Sequence, residues 1–420
     1  MKFSNYLLNL STALVDKSGV DLAYLLSPRK DHGKTIIKEF RNPTRQSMKQ
    51  FEGSMESPWD EIAIQYVLVV NHIARNKPIE AFKEEAHLVS LFFRYFTSNS
   101  GWTLMALFSM LRDLRDLAID VTYENGQSGT MNMEEAARVI SKAFTNCVMD
   151  RQSPYVESRK WGVYYVVGLI MKSYFRVKRI SLSKNILRAI NANPDIPPLT
   201  AYPRSHQVIY RYYVGMLEFL NEDFVKVSSR SLLSSYFFNC VSEQELTLAF
   251  YTCHIAAKRN QERILIYLIP LRILRGHLPS RELLDRFPNL DKLFSPFVSA
   301  IRKGDLSAFD AVLEKSERRL VELNLLLTVE RARELCMRVL FRRVWVVSEK
   351  SNRMPISLFH SALQVSGQDV PVEEAECFVA NMIYKGFMRG YISHEKQMVV
   401  VANTNAFPRP ADRVSPYANL

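Results

Sequence analysis

Four short stretches of this chain combine residue types that can do chemistry, and each lacks part of what that chemistry needs. Gly33-Lys34-Thr35 ends like a phosphate-binding loop, but the glycine required five residues earlier is Pro28, and Asp21 to Leu26 reads as helix where a strand should stand. His394-Glu395 is not followed by the second histidine of a helical zinc site, and Cys253-His254 has no second ligand pair nearby. No GxGxxG or GxSxG is present. The expectation is a protein without catalytic residues, metal or cofactor.

Charge is the chemistry that remains. The chain carries a net +12, and residues 151–190 hold nine bases (Arg151, Arg159, Lys160, Lys172, Arg176, Lys178, Arg179, Lys184, Arg188) against one acid, Glu157. A field so concentrated raises the local concentration of polyanions, either nucleic acid or an acidic peptide. Tyr202, Tyr210, Tyr212 and Tyr213 follow and can hold apolar residues of such a peptide. A second basic set combines Arg331, Arg338 and Arg342, whose spacings of seven and four share one helix face, with Arg343 beside them and Lys385, Arg389 and Lys396 further on.

The elements that position the second set are legible at the C-terminus. Pro355 to Leu363 opens a short helix with Ser357 placed to cap it. After Gly367-Gln368-Asp369, Pro371 marks the first turn of another helix, with Ala375, Phe378, Val379, Met382 and Ile383 at helical spacing and Gly386 as its stop. Met388 to Ser393 and Gln397 to Val401 read as strands around a His394-Glu395-Lys396 tip. Helix, helix and hairpin in this order make a winged helix. The outer face of its second helix carries Glu373, Cys377, Ala380 and Tyr384, with Asn381 at the edge and no Lys or Arg. A helix that reads bases in a major groove brings arginine or lysine to guanine and phosphate. This face, with Tyr391 on the wing, suits another protein instead, and leaves Arg342, Arg343, Lys385, Arg389 and Lys396 for sequence-independent backbone contact.

Upstream the pattern is helical. Glycine is scarce, at 14 of 420 residues, and strand-like runs are rare before residue 388. Three stretches share a format of polar turn and amphipathic helix: Lys77 to Phe82 into Leu88 to Phe96, Asn221 to Phe224 into Leu232 to Phe238, and Lys303 to Phe309 into Ala311 to Leu320. These are the loose helix–turn–helix pairs of an α-solenoid, each burying its apolar face on its neighbours. Asn191 to Pro198 reads as a loop, Pro270 kinks or ends its helix, and a long helix runs from Thr328 to Glu349. The fold class is an all-α solenoid of TPR-like pairs followed by a C-terminal winged helix. Its parts are a partly ordered segment 1–57 with one amphipathic helix, a helical-repeat domain 58–220, a second helical part 221–350, the winged helix 351–408 and a tail 409–420.

The five cysteines are scattered and form no CxxC pair, as expected of reduced thiols in the cytosol or nucleus. Met1 to Tyr6 lacks the apolar stretch of a signal peptide. The longest apolar run, Trp161 to Met171, is about half of the roughly 20 residues a membrane span needs, and reads as a buried helix.

A solenoid running into a winged helix resembles the PCI domain of the proteasome lid, the signalosome and the translation initiation complex. The chain is similar to one branch of it, the mRNA-export PCI subunit and its fungal relative described as signalosome subunit twelve. The residues that carry the likeness are Lys160-Trp161-Gly162, Tyr210 to Gly215, Arg263 to Pro270, Gly276 to Pro279, Leu340 to Arg343 and, most specifically, Ala380 to His394. The resemblance covers residues 58–408. It implies a non-catalytic nuclear scaffold that pairs through its winged helix with a PCI protein of the GANP type. It also implies a small acidic partner of the DSS/SEM type and a surface for RNA or DNA without sequence specificity. Alternatives from other classes are a stand-alone winged-helix DNA-binding regulator and a subunit of the signalosome or proteasome lid.

Overall fold

The computed structural model describes residues 2–40, 42–125, 129–228 and 232–412. They form two compact units, Met1–Tyr210 and Arg211–Leu420.

The first unit is built from consecutive antiparallel helices. Trp59–Ala74, Pro78–Ser98, Leu104–Asn125, Gly129–Val148 and Val163–Arg176 each pack on the next. The pattern within Pro78–Ser98 shows why: Phe82, Glu85, Val89, Phe92 and Phe96 recur at three- and four-residue steps and all are buried. Trp59–Ala74 is buried on nearly every side, because the N-terminal segment covers the flank its neighbour leaves open. That segment differs from the single helix expected. It holds Phe3–Val15, Gly19–Leu25, Asp31–Ile37 and Arg45–Met48. Phe3 meets Phe40 and Phe51 edge-on at 5.4 and 4.9 Å, and Tyr6 stacks on Tyr66 at 5.1 Å. These rings are not periodic along one element, so only the folded chain brings them together. Gly33-Lys34-Thr35 lies inside the third of these helices, not in a loop.

The second unit holds the helices Leu232–Thr252, Lys258–Leu274, Pro288–Lys303 and Leu306–Glu322 and ends in the winged helix. Pro270 does not end its helix, which runs on to Leu274. Asn221 to Phe224 lies within the helix Arg204–Ser228, not in a turn; its side chains, and those of Leu232 to Phe238, lie outside the described residues. The turn before the last solenoid helix is shorter than expected, because Asp305 already caps Leu306–Glu322 by accepting the Ala308 N–H at 2.9 Å. Pro78 likewise begins its helix directly. Gly304 has φ +68°, and a Cβ there would meet the Leu340 backbone nitrogen at 2.8 Å, so both conformation and space demand glycine.

The long helix expected over Thr328 to Glu349 is two, Leu326–Arg331 and Arg333–Val347, divided at Ala332. A short strand follows, β1 (Arg353–Pro355), then the helices Ile356–Val365 and Val372–Tyr384, then β2 (Gly390–Ser393) and β3 (Met398–Val401). The sheet order is β1-β3-β2, antiparallel throughout, with Val399 opposite both Met354 and Ile392. β1 was not legible as a strand, being only three residues long, and Pro355 stands at the N-cap that Ser357 was expected to fill. The 3₁₀ turn Pro410–Asp412 follows the sheet, and residues 413–420 of the expected tail lie outside the described residues.

Candidate interaction site

The second helix of the winged helix is sided as its sequence requires. Ala375, Val379 and Met382 are buried against the first helix and the wing, while Glu373, Cys377, Ala380, Asn381 and Tyr384 are exposed. Pro371 occupies its N-cap and Gly386, at φ +74°, takes the left-handed conformation just past its end. Tyr391 on the wing is 63% exposed and Tyr384 at the end of the helix is 51% exposed, both large rings at the surface. At the hairpin tip the His394 imidazole donates from Nδ1 to Glu376 at 2.9 Å, and Gln397 donates to the same carboxylate. The Glu376 hydrogen bond and charge raise the His394 pKa above its ordinary value.

The module is held to the solenoid by polar bonds as well as by packing. The Leu306 N–H donates to the Ser366 hydroxyl at 2.8 Å and the Ser307 N–H to the Ser366 carbonyl at 3.1 Å. Arg333 grips Asp310 with two bonds of 2.7 and 2.9 Å and donates a third to Gln368. Phe341 meets Phe359 edge-on at 5.2 Å.

The structure divides the cations expected to meet phosphate. Arg342, Arg389 and Lys396 are exposed, and Arg343 is exposed with one bond to the Arg302 carbonyl. Lys385 is half-buried and ion-paired with Glu334, so its charge is already spent within the fold. The arginine row is broken too. Arg331 belongs to the shorter helix, and Arg338 clamps the Phe407 and Pro408 carbonyls at 3.1 and 2.7 Å. Burial, and then Arg342, hold the Arg338 pKa below its ordinary value. Arg353, missed because β1 was missed, is exposed and lies across from Val400, itself opposite Tyr391.

The basic segment divides in the same way. Arg159 is only 6% exposed: it donates to the Phe96 carbonyl at 3.0 Å and to Asp150 at 3.4 Å, with its guanidinium over the Phe96 ring. Burial raises the Asp150 carboxyl, but hydrogen bonds from the Arg159 and Ser153 backbone, the Ser158 hydroxyl and the Arg159 side chain outweigh it, and the net shift is well downward. Arg159 therefore organises this corner and is withdrawn from any peptide. Tyr202 is withdrawn as well, 3% exposed with its hydroxyl donating to the Lys160 carbonyl at 2.8 Å. Lys160 is half-buried, 3.6 Å from Asp195. Arg176, Lys178 and Arg179 are exposed, with Arg176 over the Tyr123 ring and Arg179 3.3 Å from Glu134. Tyr210 is half-buried against Tyr164. In the second unit Tyr212 and Tyr213 are half-buried, and Tyr212 packs on Tyr213 and Tyr267. Among the described residues no three His, Cys, Asp or Glu side chains are placed to hold a metal ion, and no helix is long and apolar enough to cross a membrane.

Comparison with known proteins agrees with this architecture. The model of the PCI domain matches residues 312–403, which contain the two helices and the wing. A protein named CSN12 homolog from Schizosaccharomyces pombe is 38% identical over 85% of this chain and 85% of its own length. One of the same name from Neurospora crassa is 36% identical over 79% of this chain and 77% of its own. PCI domain-containing protein 2 of Xenopus laevis is 28% identical over 96% of this chain and 97% of its own.

Proposed function

The chain belongs to the PCI-domain family that includes the CSN12 homologs and PCI domain-containing protein 2, and from that premise we propose that it is a scaffold of a nuclear complex coupling transcription to mRNA processing and export. Members of this family are in general non-catalytic scaffolds, so its work lies in what its surfaces hold. The observation that carries the reading is the exposed, cation-free face of Glu373, Cys377, Ala380 and Tyr384, continued by Tyr391 on the wing. Small side chains at its centre admit close approach of another helix, and the two tyrosines offer apolar area with a polar tip, the mixture favoured at protein interfaces. A second PCI protein of the GANP type is the partner proposed for it. A small acidic protein of the DSS/SEM type is proposed on the exposed cations Arg176, Lys178 and Arg179 of the first unit, where carboxylates find charge without displacing core residues. RNA or DNA is proposed as backbone ligand of Arg342, Arg343, Arg389 and Lys396.

Affinity purification of the tagged chain with mass spectrometry tests the reading, because the partner identifies the pathway. Recovery of a second PCI protein and a small acidic protein is expected. Recovery of a complete proteolytic or deneddylating assembly instead would overturn it. Ala380→Arg places a bulky charge at the centre of the face and should abolish recovery of the PCI partner while leaving the melting temperature unchanged, since Ala380 is exposed. Persistent recovery after changes across the whole face would place the interface elsewhere.

A further inference from the structure

Within the first unit three hollows share walls and make one continuous groove. The central hollow, of about 710 Å³, meets one of about 490 Å³ at Gly101, Leu104 and Trp161, and another of about 290 Å³ at Arg112, Tyr165 and His206. Flat rings dominate the central part: Tyr24, Phe108, Trp161, Tyr165 and His206. Phe108 and Tyr165 lie 4.0 Å apart at 30°, with His206 5.2 Å from Tyr165. Tyr24 is 48% exposed, and the other four rings are half-buried, so each presents an edge or face to the groove. Cations are set among the rings. Lys30 lies 6.0 Å from the Tyr24 ring, Arg112 is in the wall shared by two hollows, and Lys17 borders the third. All three are exposed and, among the described residues, none is in an ion pair. Burial lowers the His206 pKa, so near neutral pH its ring is an uncharged stacking surface and the positive charge comes from Lys and Arg.

We propose that this groove binds single-stranded nucleic acid, with bases stacking on the Tyr24, Trp161 and Tyr165 rings and phosphates meeting Lys17, Lys30 and Arg112. The composition favours this occupant over an amphipathic peptide. Peptide helices seat leucine-like knobs in aliphatic pockets, whereas five rings line the central hollow against four aliphatic residues, Ala23, Leu104, Met105 and Pro203. Planar rings with cations beside them suit a single strand, in which every nucleotide offers one π-face and one negative charge; the acids of the walls, Glu157 and Asp116, lie in the flanking hollows, Asp116 paired with Arg115. Such a groove reads no sequence, because stacking accepts every base. It shares no residue with the winged-helix surface, so the proposal stands or falls apart from the scaffold reading.

The test uses the full chain and a fluorescently labelled 12-nucleotide oligouridylate RNA, followed by anisotropy. Lys30→Glu with Arg112→Glu should weaken binding at least about tenfold, and Tyr24→Ala by about fivefold or more. The same losses should appear on a background in which Arg342, Arg343 and Lys396 are alanine, where the C-terminal cations no longer contribute. Tryptophan emission should fall as bases stack, and the fall should shrink in Trp161→Phe. If the charge-reversed chain does not fold, photocrosslinking of 4-thiouridine RNA to the unchanged chain decides: adducts on residues 101–112 and 161–165 support the site. Adducts confined to residues 330–412, or quenching by an acidic peptide without tryptophan but not by RNA, overturn it.

Discussion

Glu85 is the residue whose chemistry is least at ease in this fold. It is fully buried on Pro78–Ser98, and neither of its oxygens has a hydrogen-bond partner among the described residues. Burial above all, and then the charge of Asp113, push its pKa well above the ordinary value of 4.5, with Arg29 opposing weakly. The folded chain therefore keeps a proton that the unfolded chain releases above about pH 4.5. The native state binds the excess proton, so stability falls as pH rises from there towards the raised pKa. Glu85→Met keeps the volume and removes the ionisable group. It should stabilise the chain by about 1–3 kcal/mol near pH 7.5, the cost of an unsatisfied buried polar group. Urea unfolding at about pH 5 and pH 7.5 measures this, and a gain that does not shrink at the lower pH would exclude protonation as the cause. Helical spacing puts Glu85 in the stripe of Phe82, Val89, Phe92 and Phe96, but the sequence could not show that its carboxyl would go unpartnered, because spacing assigns a face and says nothing about what covers it. For the same reason Arg159 and Tyr202 read as available when they are buried. Their partners, the Phe96 and Lys160 carbonyls, lie 63 and 42 residues away in sequence.

Among the elements, those with a strong local signal were legible and those made by tertiary contact were not. The second winged-helix helix has a proline entry, a periodic stripe and a glycine exit, and its outer face stands where its spacing put it. β1 has three residues and becomes a strand only because β3 pairs with it. The break at Ala332 has neither proline nor glycine to announce it, and it removes Arg331 from the expected row. That break also frees Arg333 to begin a new helix and reach Asp310, which ties the winged helix to Leu306–Glu322 through Gln368. Asp310→Ala should therefore loosen this module in particular. Loss of a partly exposed bidentate pair should cost about 1–2 kcal/mol. Amides of Ile356–Val365 and Val372–Tyr384 should exchange faster while those of Pro288–Lys303 keep their protection. Acceleration spread evenly over the second unit would mean that Asp310 supports the whole unit and not the docking of its last module.

For the whole molecule, a net charge of +12 favours anionic partners, and the fold separates the cations that can meet them from those already paired. The structure reduces the cations of the C-terminal surface by internal pairing: Lys385 serves Glu334, Arg338 serves the Phe407 and Pro408 carbonyls, and Arg342, Arg343, Arg389 and Lys396 face solvent. Sequence alone counts these charges equally, since pairing depends on which helix lies alongside. This inequality is measurable in a complex with the proposed PCI partner. Each single-strand phosphate contact contributes about 0.7 to the slope of log affinity against log salt. Changing Arg342, Arg343 and Lys396 together to alanine should flatten that slope by about 2. Lys385→Ala should leave it unchanged, because the ammonium it removes is paired with Glu334 and does not meet phosphate. Since the exposed helix face offers no arginine to a base edge, oligonucleotides of scrambled sequence should bind the unaltered complex equally well. An equal effect from Lys385→Ala would mean that the Glu334 pair opens on binding. An unaltered slope in the triple variant would assign these bases to solubility and move the phosphate contacts to other surfaces of the complex.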